Sequence, residues 1–201
     1  MLATLTGLGL SAAAGLNAYI PFLVVALVAR FTDVITLPQG WAWIESPWAI
    51  GVGVVLLLAE VVLDKIAIVD SFNDAVQTVV RPASAGIIVA ATTAAQDYET
   101  ASTFMQDNSW VGIVLGVGVA LLVHSGKASV RPVVNAGTLG TGAPVVSTAE
   151  DTASIGLSLV AVFLPILVLV VLLGLAVLAF WFIRRRAARR TVRRGRGPAQ
   201  P

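Results

Sequence analysis

The chain has no cysteine, a single histidine, and charge on only 12% of its 201 residues. The first absence excludes disulfides, thiolate metal sites and cysteine nucleophiles. The second excludes a multi-histidine metal centre. The shortage of charge is the more telling, because soluble domains carry about 25% charged residues. Also missing are a phosphate-cradling glycine loop closed by Lys-Ser/Thr, a Gly-x-Ser-x-Gly elbow and a His-Glu-x-x-His pair. No cofactor is therefore expected, and no motif carries an enzymatic reaction.

What fills the chain instead is apolar: 57% hydrophobic residues and a mean hydropathy of +0.90. These residues come in long blocks rather than alternating ten-residue segments. Helices satisfy their own backbone groups in lipid, so the blocks predict an all-α, polytopic helical membrane bundle and exclude an outer-membrane barrel. The formal charge of +2 is unevenly spread, since eight of the thirteen basic residues lie in "RRRAARRTVRRGRG", which begins at Arg184. This divides the chain into a transmembrane domain, residues 1–183, and a basic, disordered tail, residues 184–201.

A run of arginines just past a hydrophobic helix is retained on the cytoplasmic side beside anionic headgroups. The expected setting is the cytoplasmic membrane, multi-pass, with the C-terminus cytoplasmic and the lipid bilayer as first partner. No aromatic residue is interleaved among the arginines to stack on bases, so no nucleic-acid partner is expected. A homo-oligomer is left open. The N-terminal apolar run has no basic residue before Arg30 and is longer than a signal-peptide core, which reads as a retained first span.

That first span covers about residues 4–29 and is rich in small residues, with Asn17 and Pro21 at its middle predicting a kink or break. A loop with Trp41 and Trp43 follows, and a second span runs from about 48 to 66. The stretch 71–94 has Pro82 near its centre: it is either a kinked third span or an amphipathic helix leading into a short re-entrant one. After an acidic loop at 96–109, Trp110 opens a fourth span. Residues 132–147, "PVVNAGTLGTGAPVVS", are too rich in glycine and proline to be helical throughout. Ser147 with Glu150 forms a capping-box pattern that would start the last helix. From there to Ile183 the helix either kinks at Pro165 or turns back, giving five or six spans. "VVRPASAG" at 79–86 and "SVRPVVNAG" at 129–137 echo one another, which fits two weakly similar halves with broken helices or a chance recurrence in an alanine- and valine-rich chain.

The charges inside the spans form stripes. Glu60 and Asp64 are four apart and share a face, with Lys65 about 100° around the helix. Asp70, Asp74, Gln77 and Arg81 follow at helical spacing, and His124, Lys127 and Arg131 repeat the geometry. A charged side chain at the centre of a lipid-facing helix costs about 2.5–3.5 kcal/mol on insertion scales. These stripes must face the bundle interior, where a pairing such as Asp74 or Glu60 with Lys127 or Arg131 is the simplest arrangement. His124 near a carboxylate would suit proton relay. Glu60 and Asp64 with Glu150 or Asp151 would suit a hard cation, so any metal is left undetermined.

The segments "GLSAAAGLNAYIPFL", "DKIAIVDSFNDAVQTVVRPASAG" and "VHSGKASVRPVVNAG" followed by "STAED" resemble a family of small bacterial integral membrane proteins catalogued as domain of unknown function four-one-two-six. The likeness runs from about residue 5 to 183. Its pattern falls on Asn17, Pro21, Asp64, Lys65, Asp70, Ser71, Arg81, Pro82, His124, Lys127, Arg131, Asn135, Glu150 and Asp151. "GTLGTGAP" at 137–144 departs from the Ser-Pro-Glu-Pro segment of relatives. The resemblance implies no activity, but it marks the stripes as family features. The function expected is transport or conduction of an ion or small polar solute through an interior polar seam. The alternative is a non-catalytic membrane scaffold or assembly partner.

Overall fold

The structure, a computed structural model, describes residues 2–95, 108–174, 177, 181 and 184, apart from the side chains of 3, 67, 68, 70, 71 and 109. Residues 96–107 of the acidic loop and the arginine tail beyond Arg184 fall outside it. Every regular element among the described residues is helical: α1 (Leu2–Leu16), α2 (Tyr19–Phe31), a 3₁₀ turn (Gln39–Trp41), α3 (Pro47–Leu63), α4 (Ala67–Ala95), α5 (Ser109–Gly137) and α6 (Ala143–Phe163). A shorter apolar helix, α7 (Pro165–Gly174), follows. The chain divides into two compact units, Met1–Val168 and Leu169–Pro201. The first holds the bundle described below. In the second, the described large apolar side chains Leu169, Val170, Leu173, Val177 and Trp181 are exposed, as lipid-facing residues would be.

The expected break in the first span is real, and Asn17 makes it. Its side-chain oxygen accepts from the backbone N–H of Tyr19 (3.0 Å) and Ile20 (3.1 Å), which starts α2. Pro21 sits in the first turn of α2, where a missing N–H costs nothing. The break is sharper than a kink. Gly7 in α1 lies against Val89 and Thr92 of α4, while Ala26 in α2 shares a buried cluster with Ala91 of α4 and Ile44. At the turn between them, Ser84 of α4 donates to the Ala18 carbonyl at 2.7 Å. Both arms therefore point back to the same end of α4. The segment read from sequence as one span is a helical hairpin with its tip at Asn17–Ala18.

Of the two readings of 71–94, the structure gives a single helix and not one leading into a short re-entrant segment, for α4 runs unbroken through Pro82. Likewise α5 continues through Pro132 to Gly137, and only Thr138–Gly142 is non-helical. That turn needs left-handed backbone at Leu139 (φ 51°) and Gly140 (φ 86°). The capping-box reading is also overturned. Helix α6 starts at Ala143 with Pro144 in its first turn, placing Ser147 and Glu150 in the helix interior. At its other end α6 stops at Leu164 before Pro165. The chain bends there around Gly9, where an added Cβ would lie 2.7 Å from Ala161 and 2.8 Å from Val168.

The helices α3 to α6 surround the hairpin. Helix α3 starts at a Ser46 cap with Pro47 behind it and runs back along α2, Gly53 touching Leu23. Helices α1, α4 and α5 meet at Ala14, Ala85 and Ala120, all fully buried. Small residues at these crossings let backbones approach closely, which is how helices associate where lipid is as apolar as leucine. Gly15 shows the limit, since a Cβ there would sit 2.7 Å from the Ala120 carbonyl. Among the described residues, three helices are long and apolar enough to cross a membrane: Phe72–Ala95, Trp110–Gly137 and Ala143–Phe163.

Candidate functional site

Breaking α1 at Leu16 leaves its last carbonyls without intrahelical partners and the negative end of its dipole pointing into the bundle. Two cations from other helices meet it. Arg81 of α4 donates to the Gly15 carbonyl at 3.2 Å, and Lys127 of α5 donates to the Leu16 carbonyl at 3.0 Å. The hairpin tip is thus the base of a buried ionic cluster.

The C-terminal end of α3 supplies the acids. The Glu60 carboxylate accepts from Arg81 at 2.7 Å, with both side chains almost wholly buried. Asp64 caps α3 and is the hub. Its Oδ2 accepts from Arg131 at 2.9 Å and from Lys127 at 3.3 Å, and its Oδ1 accepts from Asn73 at 2.7 Å. Glu150 of α6 closes the network, lying 3.2 Å from Lys127 and paired with Arg131 through both carboxylate oxygens. Next to it Asp151 accepts from the Asn17 amide at 2.9 Å, tying α6 to the hairpin tip. Ser154 donates to the Ala13 carbonyl at 3.0 Å on the same seam.

His124 is held as a neutral ring by its neighbours. Arg81, which can only donate, lies 3.1 Å from Nδ1, so Nδ1 accepts. Nε2 then carries the hydrogen and donates to Thr78 Oγ1 at 3.0 Å, and Thr78 donates on to the Asp74 carbonyl at 2.9 Å. The expected proton relay through His124 conflicts with this arrangement, since protonating Nδ1 would set a cation against Arg81.

The residues picked from sequence divide clearly. Asn17, Glu60, Asp64, Arg81, His124, Lys127, Arg131, Glu150 and Asp151 come together, and Asp74 lies on the same face. Lys65 does not join them, for it is exposed and donates to the Val61 carbonyl of its own helix at 3.2 Å. Asn135 is half-buried near the end of α5, where its carbonyl accepts from Gly140. Asp70 has its side chain outside the described residues. The expected partners also change: Glu60 pairs with Arg81, and Asp64 takes Lys127 and Arg131. Among the described residues no three acidic or histidine side chains converge to hold a metal, because Lys127 and Arg131 stand between Asp64 and Glu150. Missed from sequence were Asn73, Thr78 and the carbonyls of Gly15 and Leu16. Asn73 and Thr78 lie on the face shared by Asp70, Asp74, Gln77 and Arg81, a signal that charge alone had hidden.

Fold and site together define a membrane protein, all-α among the described residues, whose interior holds a multi-helix ionic network at the tip of a helical hairpin. The family model described as Domain of unknown function (DUF4126) matches residues 4–185, and the chain belongs to that family. No curated protein matches the chain, and neither does any solved structure.

Proposed function

We propose that the protein moves an ion or small polar solute across the membrane, with the hairpin-tip cluster on its path. The observation that supports this is the placement of Arg81, Lys127, Asp64 and Glu60 against the carbonyl end of a broken helix. Buried ionisable residues inside a bundle mark solute and ion paths, and discontinuous helices present free carbonyls at such sites. The cytoplasmic membrane and a cytoplasmic arginine tail resting on anionic headgroups belong to this same reading. They rest on the charge asymmetry of the sequence. The Val-Arg-Pro echo lends it no weight, since Arg81 lies mid-helix in α4 and Arg131 in the last turns of α5.

The test is a flux screen on protein reconstituted in liposomes, comparing the wild type with Asp64→Asn and Lys127→Met. Transport predicts a folded variant that has lost flux. A cluster that only stitches helices together predicts no flux from the wild type for any ion or solute, and variants that fail solely by unfolding. If deletion of residues 184–201 abolishes recovery of a bound partner while cluster variants behave as wild type, the scaffold reading replaces transport.

A further inference from the structure

Among the described carboxylates of the cluster, Asp74 has neither an ion pair nor a side-chain donor, whereas Asp151 is held by the Asn17 amide. Asp74 is 9% exposed, and among the described residues it has no ion pair; its Oδ1 is buried with no hydrogen-bond partner. Two more acceptor oxygens share that condition: Oε2 of Glu60, 2% exposed, and Oε1 of Gln77, 3% exposed. All three belong to one neighbourhood. Asp74, Gln77 and Arg81 follow at spacings of three and four on one face of α4, Arg81 holds Glu60 by its other oxygen, and Tyr19 of the hairpin lies beside both Glu60 and Gln77.

The sign of the surplus is set by the whole cluster. Among the described residues, the carboxylates of Glu60, Asp64, Asp74, Glu150 and Asp151 outnumber the fixed cations Arg81, Lys127 and Arg131, and His124 is held neutral. The carbonyl end of α1 adds further negative character. An unpaired acceptor costs free energy in a dry interior, and an unpaired carboxylate costs more. Three acceptor oxygens without hydrogen-bond partners, in a negative surplus that already counts Arg81 and its unpartnered Nε, suit a hard cation bound through oxygen. An anion is excluded by sign. A divalent ion would need more carboxylates than converge here, because Asp64 and Glu150 are already taken by Lys127 and Arg131.

We infer that Asp74, Gln77 and Glu60 form a seat for a monovalent alkali cation beside Arg81. This deepens the transport reading by naming the class of ion, and it stands or falls by binding, whatever the flux assay gives.

The experiment is thermal unfolding of the purified full chain in detergent, in sodium, potassium or lithium chloride against N-methyl-glucamine chloride at equal ionic strength. An alkali cation at about a hundred times its Kd should raise the wild-type Tm by about 5 °C or more. Asp74→Asn removes the one carboxylate of the seat that has no cation beside it in an ion pair, so it should be at least as stable as wild type in N-methyl-glucamine and lose the response to alkali cations. Gln77→Leu should shift the half-maximal concentration upward about tenfold. Lys65→Gln, at an exposed position, should respond as wild type. The inference is overturned if the wild type shows no cation-specific rise, or if Asp74→Asn responds as strongly as wild type. Cation binding without any flux would sink the transport reading and leave the seat standing; flux without cation-specific stabilisation would do the reverse.

Discussion

Asp64 carries more of the cluster than any other side chain, because Lys127 and Arg131 both end on a single one of its oxygens while Asn73 holds the other. Replacing it by asparagine leaves two buried cations short of their counter-charge, and breaking buried pairs in this way costs about 3–5 kcal/mol. The expected outcome is a marked fall in Tm for Asp64→Asn, partly restored when Lys127→Met is added, since the second change removes one of the orphaned charges. A double-mutant cycle on purified protein reads that coupling directly. Asn17 works differently, capping α2 with its oxygen and holding Asp151 with its amide. Asn17→Ala removes both, and a loss of about 1–2 kcal/mol is expected from the cap alone, measured as a lowered unfolding midpoint. From sequence, the participation of Asp64, Lys127 and Arg131 was legible because charge in an apolar span has few places to go. Their partners were not, because pairing depends on helix order around the bundle, which spacing along one helix does not contain.

At the scale of elements, the close contacts made by α1 give the sharpest expectations. A methyl group at Gly9 would run into Ala161 and Val168, neither of which is a long flexible chain able to move aside. Gly9→Ala should therefore destabilise by about 1–3 kcal/mol despite the higher helix propensity of alanine. Gly118→Ala, where nothing lies within 4 Å of the added carbon, should be neutral or stabilising, and the pair of melting curves separates packing from propensity. The turn joining α5 and α6 places Leu139 in left-handed backbone with 95% of its surface exposed. Its side chain gains little from packing there and suffers the usual steric penalty. Leu139→Gly should raise stability by up to about 1 kcal/mol, offset by the greater freedom of glycine in the unfolded chain. The helical character of nearly every element was readable from apolar block length. The starts and stops were less so: Pro82 and Pro132 ride inside long helices, where neighbouring helices can compensate for a missing N–H, and a capping pattern at Ser147 fell in a helix interior.

For the whole molecule, the hairpin decides which ends of the chain face which side. Leu2, the 32–46 loop and the N-terminal end of α5 belong at one end of the bundle, while Lys65 and the Thr138–Gly142 turn belong at the other. The native chain has no cysteine, so single cysteines report without background. Cysteines at Leu2, Asp33 and Asn108 should react with an impermeant thiol reagent from one side of sealed vesicles, and a cysteine at Leu139 from the opposite side. A simple first span would instead put Leu2 and Asp33 on opposite sides. Sequence could not reveal this, because two 13- to 15-residue helices joined at one asparagine have the same hydropathy whether they run straight through or double back.

The doubled-back hairpin also bears on the order in which the protein is made. Its arms are each too short to span the roughly 30 Å hydrocarbon layer, and the carbonyls of Gly15 and Leu16 find their donors on Arg81 and Lys127, residues synthesised much later. Residues 2–31 thus reach their paired arrangement only after α4 and α5 have been made.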